Sequence, residues 1–244
     1  MSDSGPPPRL SPRDFSVQPA ALSPAYRSSR LRAPERKLVA LPGQLGDLTG
    51  PAFGHDLPGA ADHDLIHNFA AAGASALGPR IIVHGTLRDE SGRPVPDALI
   101  EVWQANAGGR YRHKNDAYLA PLDPNFGGCG RVITGADGSY SFLTVVPGPY
   151  PWPNGGNDWR PAHIHFSVFG TAFAQRLITQ MYFEGDPHIA LCPIVNAIPD
   201  KGAIDRLTAR LDMGRTVPMD MRAYRFDIVL RGPDATMFEN GTGG

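Results

Sequence analysis

His163, Ile164 and His165 open a stretch, HIHFSVFG over 163–170, whose β-branched and aromatic residues predict a strand. Residues i and i+2 of a strand point to one face, about 7 Å apart at their Cα atoms, so two imidazoles placed this way can share a metal ion. Taken alone, such a pair is more often a surface or core pair. Just upstream lies Pro147-Gly148-Pro149-Tyr150-Pro151-Trp152-Pro153. Prolines on both sides of Tyr150 hold it in stiff, extended backbone, which suits a presented side chain; a rigid turn whose Tyr150 and Trp152 merely pack fits as well. Tyr111 follows a glycine pair in AGGRYRH (107–113) and leads into a loop, 116–130, too long to be only a connection. A rival group is His55, Asp56, Asp62, His63, Asp64 and His67. His63 and His67 are i, i+4, but no third ligand has a fixed spacing, and the group reads as a solvated face or a cap by Asp62 or Asp64.

The elements that must hold these side chains are strands. The chain has 25 prolines and 28 glycines among 244 residues, which excludes a mostly helical protein. Strands are predicted over 81–89, 98–105, 163–170, 176–183 and 224–232, and a hairpin over 132–146 that turns at 136–139. Residues 62–77 suit a short helix or a loop with helical turns. GAIDRLTARLD (202–212) is the one clear amphipathic helix, with Ile204, Leu207 and Leu211 at i, i+3 and i+7. Many short strands and few helices predict an all-β fold: an antiparallel or mixed β-sandwich with long loops and one or two short helices. The first 58 residues hold ten prolines and predict an extended arm, disordered over 1–12, with Phe15, Tyr26, Leu31, Leu38, Val39 and Leu41 available to dock on the body or a partner. The expected division is an arm over 1–79 and a β-sandwich catalytic domain over 80–244.

A formal charge of −1 carries no basic excess and argues against a nucleic-acid partner. Two cysteines, Cys129 and Cys192, make no disulfide framework and are read as reduced and structural. With no visible signal peptide and no long apolar run, a cytoplasmic protein away from membranes is expected.

Six segments in order resemble one family. They are EVWQANAGGRYRHKND (101–116), LDPNFGGCGR (122–131), PGPYPW (147–152), NDWRPAHIHF (157–166), LITQMYFEGD (177–186) and YRFDIVLRG (224–232). Together they are similar to the intradiol ring-cleaving dioxygenases, closely over about 80–240, and PAYRSSRLRAP (24–34) is more loosely similar to that family's arm.

The resemblance implies one non-haem Fe³⁺ per chain, held by Tyr111, Tyr150, His163 and His165 beside a solvent hydroxide, with Tyr150 the ligand that leaves. It implies catalytic roles for Arg160 and Gln180, and substrate contacts from Tyr26, Arg32, Trp103, Trp152 and Ile194. The ligand set is chemically coherent. A phenol ionises near pH 10, so a phenolate at pH 7 needs a strong cation beside it. Phenolate oxygen is hard and anionic and favours Fe³⁺, and two phenolates plus one hydroxide neutralise that charge. The implied reaction cleaves 3,4-dihydroxybenzoate with O₂ between its hydroxyl-bearing carbons to 3-carboxy-cis,cis-muconate. The catechol and hydroxyquinol branches of the family are the alternative, but they carry a helical N-terminal region that proline-rich residues 1–60 cannot form. The implied partner is a homologous α subunit that lacks the iron ligands, in a higher assembly of αβ units. On a non-catalytic binding module Tyr111, Tyr150, His163 and His165 would scatter; on the enzyme they must converge.

Overall fold

A computed structural model describes residues 19–36, 58–156, 158–169, 176–230 and 232–237. The expected tail at 1–12, and Phe15, Leu38, Val39, Leu41, His55 and Asp56, lie outside the described residues. The fold is mostly β, as the composition predicts. The strands are β1 (Arg80–Arg88), β2 (Leu99–Gln104), β3 (Cys129–Ile133), β4 (Ser139–Val145), β5 (Tyr150–Pro151), β6 (Trp159–Arg160), β7 (His163–Phe169), β8 (Arg176–Phe183), β9 (Thr208–Leu211), β10 (Arg222–Arg225) and β11 (Ile228–Val229). Two short helices, α1 (Ser29–Arg32) and α2 (Lys201–Arg206), and a 3₁₀ turn at Val195–Ala197 accompany them.

The strands form one curled mixed sheet, in the order β11-β1-β10-β9-β8-β7-β2-β3, with β4 paired to β1. Curling brings the β4-β1-β10 half over the β3-β2-β7-β8 half. Ile81, Val83, Tyr140 and Phe142 from one half pack with Ile100, Val102, Ile164, Phe166 and Met181 from the other in a single core. Phe166 bridges them, 5.9 Å from Phe142 and 5.2 Å from Phe226 between ring centroids. Among the described residues no helix is long and apolar enough to cross a membrane.

Three expectations are corrected. The turn at 135–139 forms, with Gly135 N–H donating to Ser139 O, but its two arms do not pair. β3 pairs with β2 and β4 with β1. Residues 62–65 are wedged between them. Arg131 N–H on β3 donates to Asp62 O, Leu143 N–H on β4 donates to His63 O, and Leu65 N–H returns to Leu143 O. Leu65 is fully buried, and Gly130 leaves it room, since a Cβ there would stand 2.3 Å from Leu65 Cδ1. The residues at 62–77 take the second of their two expected forms, a loop of turns.

The amphipathic helix stops at Arg206, after Asp200 caps its start by accepting from Gly202 N–H. Thr208–Leu211 is a strand because backbone pairing with β8 and β10 outweighs the apolar period; Leu207 is buried and Leu211 exposed. The last predicted strand is split into β10 and β11. Between them Thr86 N–H finds Asp227 Oδ1 instead of a backbone carbonyl, and Tyr140 Oη donates to Phe226 O.

His84 on β1 is buried with Nε2 3.0 Å from Asp212 Oδ2. Burial lowers its pKa below the usual histidine value, Arg215 and Arg225 add to this, and Asp212 opposes it. The folded state therefore prefers neutral His84, while the unfolded chain takes a proton near pH 6.5. This contribution to stability is present above about pH 6.5 and is lost as pH falls below it. We expect the fall in denaturation midpoint between pH 7.5 and 5.5 to be smaller in His84→Gln, measured by urea titration.

Candidate metal centre

β7 alternates. Ile164, Phe166 and Val168 are fully buried in the core between the sheet halves, so His163, His165 and Ser167 lie on the opposite face. Register extends that face sideways: His163 is opposite Tyr182 and His165 opposite Gln180 on β8, while Trp103 on β2 is opposite His165. The Trp103 ring stacks on His165, 4.8 Å between centroids and 3° from parallel.

Two turns bring tyrosines over this face. Asn106 shapes the first: its Oδ1 accepts from Gly108 and Arg110 N–H, and its carbonyl accepts from Gly109 and Gly148 N–H. Tyr111 N–H then donates to Asp116 Oδ2 at 2.8 Å. Gly109 has φ 82°, and a Cβ there would stand 2.3 Å from Pro149 O. The turn before Tyr111 thus rests directly on the residue before Tyr150. Tyr150 itself is extended in the β5–β6 hairpin, opposite Arg160, as the flanking prolines predict. Gly109→Ala is expected to cost about 1–3 kcal/mol in backbone strain alone. The loss is expected as a lower denaturation midpoint, measured by urea titration.

The four predicted ligands converge. Tyr111 Oη lies 3.1 Å from His165 Nε2 and 3.4 Å from His163 Nε2, and Tyr150 Oη lies 3.5 Å from His163 Nε2. A transition metal bonds imidazole nitrogen at about 2.0–2.1 Å, so neighbouring donors on one ion stand about 3–3.5 Å apart. The spacing fits a single ion. His163 Nδ1 lies 2.7 Å from Pro161 O and donates to it, which turns the Nε2 lone pair toward the phenols. Burial holds the His163 pKa well below the usual value, helped by Arg160 and His165, so the imidazole is neutral, as a ligand must be.

Behind the donors, buried Arg160 donates to Gln180 Oε1 and lies 3.5 Å from Tyr182 Oη, which donates to the same Gln180 oxygen at 3.0 Å. Tyr182 escapes motif reading; its signal is the i, i+2 spacing from Gln180 on a strand facing the histidines. Ile194 packs on the smaller core around Tyr182 and Cys192. At the other side Tyr26 meets Trp152 edge-on at 5.3 Å, and the Arg32 guanidinium lies over Tyr26 at 4.4 Å. The described members of the rival group do not gather. Asp64 accepts from Ile66 N–H and meets His67 Nδ1, the Asp62 carboxylate faces Arg131 at 3.8 Å, and among the described residues no three His, Cys, Asp or Glu side chains could hold a metal.

Residues 48–232 match a family described as Dioxygenase, and residues 11–44 match one described as Protocatechuate 3,4-dioxygenase beta subunit N terminal. The chain belongs to the intradiol dioxygenase family. It is 51% identical to the protocatechuate 3,4-dioxygenase beta chain of Burkholderia cepacia, across 94% of this chain and 97% of that one. It is 34% identical to the alpha chain of the enzyme of that name from Pseudomonas putida, across 67% and 77% of the two. Among solved structures, the hydroxyquinol 1,2-dioxygenase of Pseudomonas putida DLL-E4 superposes with a TM-score of 0.52 at 25% identity, across 75% of this chain and 64% of that one. Intradiol dioxygenases use non-haem iron, and the donor set built here, two phenols and two imidazoles, suits the ferric ion.

Proposed function

We propose that this chain is the iron-carrying β chain of a cytoplasmic protocatechuate 3,4-dioxygenase. Its reaction joins 3,4-dihydroxybenzoate and O₂ and opens the ring between the hydroxyl-bearing carbons to 3-carboxy-cis,cis-muconate. Both oxygen atoms stay in the product, so no external reductant is needed. The observation that carries the reading is the meeting of Tyr111, Tyr150, His163 and His165 at 3.1–3.5 Å on one face of the sheet. The match of residues 11–44 to a protocatechuate-type N terminus favours this substrate over simple catechols.

Tyr111, Tyr150, His163 and His165 would hold the iron. A ferric ion there supplies the Lewis acidity that binds the two catechol oxygens and draws electron density from the ring. Tyr150 Oη, 3.5 Å from His163 Nε2, would accept one catechol proton. Arg160, oriented by Gln180 and Tyr182, stabilises negative charge that grows on the substrate. Trp103 backs His165 and walls the site, while Tyr26, Arg32 and Trp152 receive the carboxylate end. The buried Trp152 indole N–H meets no acceptor among the described residues, leaving a donor for an anion. The catalytic sandwich at 80–244 is completed by the wedge at 62–65, and the residues before it pack on the sandwich or on a homologous α subunit that completes the pocket in a higher assembly. Leu31, 92% exposed on α1, offers that subunit an apolar contact.

The test is a visible absorption spectrum of the protein co-expressed with a homologous α chain, with and without 3,4-dihydroxybenzoate under nitrogen. A broad band that moves to longer wavelength on adding substrate is expected. A colourless protein, or one filled with another metal, overturns the reading.

A further inference from the structure

The β5–β6 hairpin turns at Asn154, a buried side chain 5% exposed that no ligand role uses. Its amide is fully engaged. Oδ1 accepts from Arg27 N–H at 2.8 Å, and Nδ2 donates to Ala25 O at 2.7 Å and to Asp158 Oδ2 at 2.9 Å. Ala25 and Arg27 flank Tyr26. One side-chain amide therefore grips the carbonyl before Tyr26 and the N–H after it, as a neighbouring strand would. That grip leaves the Tyr26 ring set edge-on against Trp152 at 5.3 Å. Next along the turn, Gly155 has φ 94°, and a Cβ there would stand 1.7 Å from Arg27 Nη1, so the arm lies directly on the hairpin. Within the arm, Ser29 Oγ accepts from Ser23 N–H and donates to Ser23 O, closing residues 23–29 into one unit.

We infer that Asn154 is a positioning residue that latches this arm unit to the hairpin carrying Tyr150 and Arg160, and so sets Tyr26 and Arg32 for the substrate. The second half rests on the reading of those two side chains given under Proposed function. The amide supplies, at two separate atoms, both the donor and the acceptor the arm backbone asks for. Alanine supplies neither; aspartate keeps the acceptor, loses the donor and adds a negative charge beside Asp158.

The experiment uses the iron-loaded complex with the α chain and compares Asn154→Ala, Asn154→Asp and Gly155→Ala with the parent. Gly155→Ala displaces Arg27 from outside the buried amide and keeps the test open if Asn154 variants fail to fold. Backbone hydrogen exchange over residues 25–29 is expected to quicken about tenfold or more in all three. The visible band should keep its position, and KM for 3,4-dihydroxybenzoate should rise about tenfold, well beyond any fall in kcat. Unchanged exchange in the folded variants overturns the latch. Faster exchange with an unchanged KM upholds the latch and overturns the substrate-setting role of Tyr26 and Arg32. A band lost together with KM and kcat overturns the positioning role, because the damage then reaches the metal ligands themselves.

Discussion

Tyr111→Phe is expected to abolish most of the visible band and to lower kcat by more than about 10²-fold, the upper cost of losing a mere partner of a ligand. The reason is geometric. Tyr111 Oη stands within 3.1 Å of His165 Nε2 and 3.4 Å of His163 Nε2, so it touches both imidazoles at once. Phenylalanine keeps the ring and its edge-on contact with Tyr150, 5.5 Å between centroids, so packing survives while the donor is lost. Iron content by metal analysis, the absorption spectrum and O₂ uptake read the three consequences separately. Full colour and full activity in this variant would remove Tyr111 from the ligand set.

Arg160→Gln should lower kcat by about 10²–10³, the usual cost of deleting one preorganised charge stabiliser, while the band and iron content stay near the parent's. Arg160 is 6% exposed and is held by Gln180 and Tyr182, so its charge is fixed before substrate arrives. Glutamine is shorter but stays polar, and it removes the charge. Stopped-flow turnover and the anaerobic substrate-bound spectrum distinguish loss of chemistry from loss of binding. A kcat within a few-fold of the parent's would make Arg160 a structural cation only.

The site was legible where its chemistry is local. HIH on a strand, a tyrosine fixed between prolines and a tyrosine after a glycine pair were each only candidates; the resemblance joined them into one set, and the structure brings all four side chains to one place. The strands around them were legible for the same reason, since β-branched and aromatic residues over 163–170 and 176–183 are a local signal. What local pattern could not reveal depends on distant backbone. The turn chemistry at 136–139 correctly predicts a turn and wrongly implies a hairpin, because the competitor for both arms comes from residues 62–65. The apolar period at 202–212 correctly buries Leu207 and wrongly continues the helix, because the edges of β8 and β10 take the backbone of 208–211. Asn154 and Tyr182 have no motif at all; their partners are 127 residues away in one case and across a strand register in the other.

The wedge at 62–65 has a consequence for how the chain can be cut. A protein shortened to begin after it would keep every proposed iron ligand, yet would expose the facing edges of β3 and β4, with the groove vacated by Leu65 between them. Open edges of that kind recruit any strand within reach, including those of another copy. Such a truncate becomes a receptor for its own missing piece: a free peptide spanning residues 58–70 carries the Asp62 carbonyl that accepts from β3, the His63 carbonyl that accepts from β4 and the Leu65 N–H that donates to β4. Added in trans, it should dock as a guest strand and keep the fragment from self-associating.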